Sequence, residues 1–290
     1  MFSTVAIVGV GLIGGSLGMA LRERGLARRV IGIPRRIETV AEALAVGAVD
    51  EGGIELSRLA EADLVVLAPP VRAIPVLVAQ MREWLQPGAL VTDVGSTKAE
   101  LMRSLPPLLP PGVNIIGGHP MAGSEKGGVL AGRADLFEGA IWVITPHETA
   151  DPSSVEQLTA MIEALGARPV RMDPEEHDIA VARISHLPHV AAAALAEVAL
   201  DGGSSPELLR MLVAGGFRDT TRIASSPPEM WRDICLTNQQ AILSALDDLE
   251  AALARFRAAL VSADPVALQD AFQRGKTVRD TLLPPARPRS

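Results

Sequence analysis

The stretch TVAIVGVGLIGGSLGMALRERG, residues 4–25, limits the possible folds more than any other part of the chain. It opens on an unbroken apolar run, as a strand buried on both faces requires. Gly9, Gly11 and Gly14 then fall in G-x-G-x-x-G spacing, with Leu12 and Ile13 between the last two, and a helical pattern runs on to Gly25. The three glycines have separate tasks: a tight turn, close approach of backbone to a pyrophosphate, and close packing of helix on strand. The helix start adds unpaired N–H groups and the positive end of a dipole. Glycine spacing alone is a weak signal. Set between a strand and a helix, with a second apolar strand RRVIGI at 28–33, it predicts a dinucleotide-binding βαβ unit held through Gly9, Gly11, Leu12, Ile13 and Gly14. The same apolar run has the length of a signal-peptide core. However, MFST ahead of it carries no basic residue, and the run holds too many glycines for a membrane helix.

Strand and helix patterns keep alternating. ADLVVLAPP reads as a strand, VRAIPVLVAQMREWL as a helix and GALVTDVGS as a strand with a polar exit. GVNIIGGHP and GAIWVITP follow as strands, then a helix near 153–165 and a short strand RPVRM. Such alternation predicts a Rossmann-type, mainly parallel sheet domain covered by helices over residues 1–172. Ligands on such sheets bind beyond the carboxyl ends of the strands. Three polar segments arrive there: 9–15, 93–98 and 117–125. The last, GGHPMAGSE, sets His119 at the surfacing end of a strand, with Pro120 keeping it out of helical geometry. Read alone, His119 is either a catalytic imidazole or a histidine in a surface turn.

From Asp173 the pattern turns helical, predicting an all-α helical domain over 173–283 and a disordered tail over 284–290. In PEEHDIAVARISHLPHVAAAALAEVAL, Pro188 should kink the helix or break its hydrogen bonding. Three of the five histidines, His177, His186 and His189, lie within thirteen residues here. No evident carboxylate-and-histidine ligand set accompanies them, so no metal is expected; a polar cleft wall and ordinary packed histidines both stay open. GGFRDTTRIA puts Arg218 and Arg222 on neighbouring turns beside Asp219. Arginine clamps carboxylates through paired N–H bonds, and an Arg–Asp pair is the alternative, better suited to Arg218.

Bulk properties exclude other roles. A formal charge of −7 argues against nucleic-acid binding. One cysteine, Cys235, rules out an internal disulfide framework and fits a cytoplasmic protein with no membrane role.

Taken together and in order, VAIVGVGLIGGSL, DVGSTK, GGHPMAGSEKGGV, EEHD, ISHLPH, GGFRDTTRIA and PPEMWRD resemble the prephenate and arogenate dehydrogenase family of tyrosine biosynthesis over nearly the whole chain. The resemblance implies NAD(P)-dependent oxidative decarboxylation of prephenate to 4-hydroxyphenylpyruvate and a homodimer built through the helical domain. In the implied roles His119 takes the proton of the ring hydroxyl and Ser96 orients His119 and that hydroxyl. Arg222 holds a substrate carboxylate, His189, His186 and His177 line the substrate side, and Glu125 is the cleft acid. Asp219 and Trp231 match positions better suited to a wall or an interface. Some relatives carry a chorismate mutase or a regulatory domain, and neither is expected here. Related two-domain reductases place a lysine where this chain has Ser185, His186 and His189. A non-catalytic NADP(H)-binding sensor would have no reason to keep His119, Ser96 and Arg222 together.

Two selectivities follow from single positions. NAD-selective domains end the second strand in an acid that binds the ribose hydroxyl; here that position is Pro34, followed by Arg35 and Arg36. NADP is therefore expected over NAD. Gly127 stands where arogenate-selective relatives can carry an acid, so prephenate is expected over arogenate, with arogenate the alternative.

Overall fold

The structure, a computed structural model, describes residues 2–124, 126–200 and 203–283. The expected disordered tail and Glu125 lie outside the described residues. The opening apolar run is strand β1 (Phe2–Val8), the glycine turn, and helix α1 (Leu12–Glu23). Then come β2 (Ala27–Ile33), α2 (Glu38–Ala45), the two-residue β3 (Glu51–Gly52), β4 (Leu64–Leu67), α3 (Ile74–Met81), β5 (Leu90–Asp93), α4 (Ala99–Ser104) and β6 (Asn114–Pro120). The α/β part closes with β7 (Ile141–Pro146), α5 (Pro152–Ala164) and β8 (Arg168–Arg171).

These strands form one sheet in the order β3-β2-β1-β4-β5-β6-β7-β8. Every neighbouring pair is parallel except β6 and β7, whose register sets His119 opposite Val143. The reason lies in the connection. A parallel neighbour needs a crossover, usually a helix, and between β6 and β7 the described residues form a 3-10 turn at Val129–Ala131 and no α-helix.

Side chains alternate across each strand, so the sheet builds two cores. Val5, Ile7, Val66, Leu90 and Ile144 face one side with Leu17 and Leu21 of α1. Ala6, Val8, Val65, Val91 and Ile115 face the other with Ile74 and Val78 of α3. Strands of near-continuous Val, Ile and Leu are what a sheet covered on both faces demands.

The helical part begins with α6 (Pro174–Val181), a π-helical turn at Ala182–His186, and α7 (Leu187–Val198). The interruption expected from Pro188 is present as this π turn. Proline has no N–H to give and its ring crowds the carbonyl four residues back, here Ile184 within the turn. The stretch Pro174–Val198 is long and apolar enough to cross a membrane by composition. In this fold it carries buried His177, Asp178 and His186 instead. Then follow α8 (Pro206–Leu212), α9 (Gly215–Thr221), a 3-10 turn at Arg222–Ser225, α10 (Pro228–Thr237), α11 (Gln239–Val261) and α12 (Pro265–Leu282). The sequence pattern reads α10 and α11 as one helix, but the chain breaks at Asn238, whose side chain is spent on tertiary contacts.

By compactness the chain divides at Gln239, later than the change of pattern at Asp173. Polar bonds tie α6 and α10 to the sheet's carboxyl edge: Asp178 accepts from the backbone of Lys98 and Ala99, and Thr97 pairs with Thr237 at 2.9 Å. The second unit holds α11 and α12, with Phe256 and Phe272 edge-to-face at 5.2 Å and Asp264 accepting the first N–H groups of α12.

Candidate active site

The glycine turn leaves β1 with Gly9 at φ +96°, a conformation side chains avoid. A Cβ there would stand 2.6 Å from the Ala68 backbone, and one on Gly14 would stand 2.2 Å from the Gly9 carbonyl. Gly11 differs: a Cβ on it would meet nothing within 4 Å. It caps α1 with no side-chain bond to the helix start. The first N–H groups of a helix have no internal partner, so those of Leu12, Ile13 and Gly14 stand behind an open approach. That is the cradle a dinucleotide pyrophosphate fits. At the end of β2 Pro34 is buried, while Arg35 and Arg36 are exposed and no ion pair or hydrogen bond holds their side chains among the described residues.

Beyond β5 and β6 lies a dense polar cluster. Asp93, fully buried at the end of β5, accepts from Gly95 N–H at 2.8 Å and Gly118 N–H at 3.1 Å, and pairs with the ammonium of Lys98. Lys98 is itself fully buried, a position a lysine tolerates only when paired. These bonds pin the backbone beside His119. The His119 ring is half-buried at the end of β6, and its Nδ1 lies 2.8 Å from His177 Nε2. His177 Nδ1 lies in turn 2.7 Å from Asp178 Oδ1. Burial, reinforced by His177, Lys98 and His186, holds His119 well below the usual histidine pKa. At neutral pH it is an uncharged base.

The π turn faces His186 into the same cluster. Its Nδ1 accepts from the Asn238 amide at 3.1 Å, while its Nε2 is buried with no partner among the described residues. Burial lowers its pKa to about 4, against the opposing pull of Asp178. One turn on, His189 stacks on Trp231 with ring centroids 3.6 Å apart. Burial holds His189 below its ordinary value; a hydrogen bond to the backbone of Ile223 opposes this and the neighbouring Arg222 adds to it. Trp231 also meets His186 edge-on at 5.9 Å, and its indole N–H is buried without a partner among the described residues.

The structure thus joins His119, His177 and His186 in one cluster and sets His189, Arg222 and Trp231 beside it. Ser96 lies half-buried on the loop between Asp93 and Lys98, but the bond to His119 comes from His177, and among the described residues none joins Ser96 to it. Four cluster members escape the sequence reading as site residues: Asp93, Lys98, Asp178 and Asn238. Asn238 left one signal, a poor helix former inside a helical pattern.

The model of the prephenate dehydrogenase nucleotide-binding domain matches residues 17–171, and that of the prephenate dehydrogenase dimerization domain matches residues 173–274. The chain belongs to the prephenate dehydrogenase family. Within that family it is 38% identical to the prephenate dehydrogenase of Bacillus subtilis over 97% of this chain and 76% of the relative. The crystal structure of A. aeolicus prephenate dehydrogenase with hydroxyphenyl propionate and NAD+ is 34% identical, with a TM-score of 0.90 over 97% of this chain and 99% of that one. Synechocystis arogenate dehydrogenase is also 34% identical, with a TM-score of 0.81 over 97% and 100%. Family membership makes the chain a nicotinamide-dependent oxidoreductase.

Proposed function

We propose that this prephenate dehydrogenase family member oxidatively decarboxylates prephenate to 4-hydroxyphenylpyruvate. The observation that carries the reading is His119: an imidazole kept neutral, tied through Nδ1 to His177, with no hydrogen bond to its Nε2 among the described residues. It stands at the carboxyl edge that also carries the glycine cradle.

The cradle of Gly9, Gly11, Leu12, Ile13 and Gly14 would hold the dinucleotide, whose nicotinamide supplies the two-electron acceptor. His119 takes the proton of the ring hydroxyl as that carbon is oxidised. The bond to the ring carboxylate then breaks, carbon dioxide leaves and the ring becomes aromatic. A positioned base contributes about 10²–10⁴-fold to such a step. Ser96 orients the hydroxyl, Arg222 holds a carboxylate through charge-assisted bonds, and His189, His186 and Glu125 complete the substrate side.

NADP is the preferred cofactor. Pro34 removes the acid that would repel a 2′-phosphate, and exposed Arg35 and Arg36 supply attraction. Prephenate is preferred because Gly127 offers no anion to an ammonium. Residues 1–172 serve the cofactor, and residues 173–283 serve the substrate and pair two copies. Exposed Met211, Leu212, Val261 and Phe272 supply apolar surface for that pairing. The enzyme works in the cytoplasm.

The test is dinucleotide reduction by purified protein, with prephenate or arogenate and with NADP+ or NAD+. Reduction that needs prephenate supports the reading, a tenfold preference for arogenate replaces the substrate, and no reduction with either overturns the enzyme.

A further inference from the structure

A base at His119 needs a bare Nε2, and the cluster behind it determines which nitrogen holds the proton. Asp178 Oδ1 accepts from Lys98 N–H at 2.8 Å and its Oδ2 from Ala99 N–H at 3.0 Å, bonds that suit a carboxylate. Oδ1 also faces His177 Nδ1 at 2.7 Å. A carboxylate only accepts, so the hydrogen sits on His177 Nδ1. In the tautomer with its hydrogen on Nδ1, His177 presents a lone pair at Nε2. That lone pair faces His119 Nδ1 at 2.8 Å, so His119 carries its hydrogen on Nδ1. Its Nε2 is left bare to act as the base.

We propose that Asp178 and His177 are positioning residues: they hold His119 in the Nδ1–H tautomer and take up the positive charge once His119 has accepted the substrate proton. The proposal rests on the reading of His119 as the base, and it removes His177 from the substrate contacts. His177 is 1% exposed and both its ring nitrogens are engaged, so it has nothing left to offer a ligand.

The charges around the pair favour the second half of the role. Lys98, from the loop after β5, pairs with Asp93 of β5, and both are fully buried. Among the described residues Asp178 of α6 makes no direct ion pair with a lysine or arginine, although the Lys98 charge reaches it, and His186 of the π turn is neutral beside it. Counting Lys98, Asp93 and Asp178, the cluster carries one negative charge and is neutralised by one added proton. When the substrate O–H bond breaks and an N–H bond forms at His119 Nε2, the His119 Nδ1 hydrogen can pass to His177 Nε2. The cation then rests on His177 against the Asp178 carboxylate.

Three variants and one spectrum test this. ¹⁵N NMR of the ligand-free protein should show neutral His119 protonated at Nδ1; protonation at Nε2 in the wild type overturns the proposal. His177→Gln places an amide oxygen near the lost Nε2 and still accepts from His119, whereas His177→Phe cannot. The glutamine variant should keep kcat about tenfold above the phenylalanine variant, with KM for prephenate unchanged in both. Equal kcat values, or a loss carried by KM, overturn the proposal. Asp178→Asn should lower kcat and move the acid limb of its pH profile to lower pH, because the imidazolium loses its counter-charge; an unmoved limb counts against the relay. If His177→Phe does not fold, the spectrum and the Asp178→Asn profile still decide. Full turnover in His119→Asn would remove the base itself, a failure separate from that of the tautomer.

Discussion

His186 links burial to a measurable pH dependence. The unfolded chain binds a proton there below about pH 6.5, whereas the folded protein refuses it until about pH 4. Between those values the unfolded state holds more protons, so stability falls as pH falls, by about 1.4 kcal/mol per pH unit and roughly 3 kcal/mol in all. His119, lowered for the same reason, adds in the same direction. Denaturant unfolding between pH 6.5 and 4.5 should show a steeper decline in the wild type than in His186→Asn; equal slopes would contradict the assignment. At Arg222 the expected effect falls on substrate binding. Arg222→Ala should raise KM for prephenate by the equivalent of about 1.5–3 kcal/mol, with kcat largely kept. A fall in kcat at constant KM would give Arg222 another task. The strand end at His119 was legible in the sequence because two glycines and a proline surround it. Asp178 and Asn238 were not, because their value lies in partners 52–80 residues away in the chain.

Among the elements, the glycine turn was the most legible because each of its glycines answers to a steric demand local to it. That permits a contrast between two neighbours. Gly14→Ala drives a Cβ to 2.2 Å from the Gly9 carbonyl and should lower both Tm and dinucleotide affinity. Gly11→Ala meets no protein atom within 4 Å, at a backbone φ of −96° that alanine accepts. It should leave Tm unchanged while weakening dinucleotide binding, read by titration calorimetry beside a thermal melt. Unchanged affinity in Gly11→Ala would move the cofactor off this turn. The parallel strands were legible as apolar runs, and the π turn followed from Pro188. The reversal at β7 was not, since a strand pattern carries no direction, and two-residue β3 is too short to leave a period.

For the whole molecule, the proposed preference for NADP+ rests on the end of one strand. The wild type should show a higher kcat/KM with NADP+ than with NAD+, and Pro34→Asp with Arg35→Ile should reverse the order. Preference for NAD+ in the wild type, or none gained by the double variant, would show that this stretch does not select. In the proposed function this edge of the sheet oxidises and decarboxylates prephenate with His119 as base. The most direct measurement follows dinucleotide reduction and 4-hydroxyphenylpyruvate formation together, in the wild type and in His119→Asn. The wild type should form one product per dinucleotide reduced, and the variant should show a kcat about 10²–10⁴-fold lower with dinucleotide affinity retained. Wild-type protein that forms no product, or a variant that turns over as fast as the wild type at neutral pH, would contradict it.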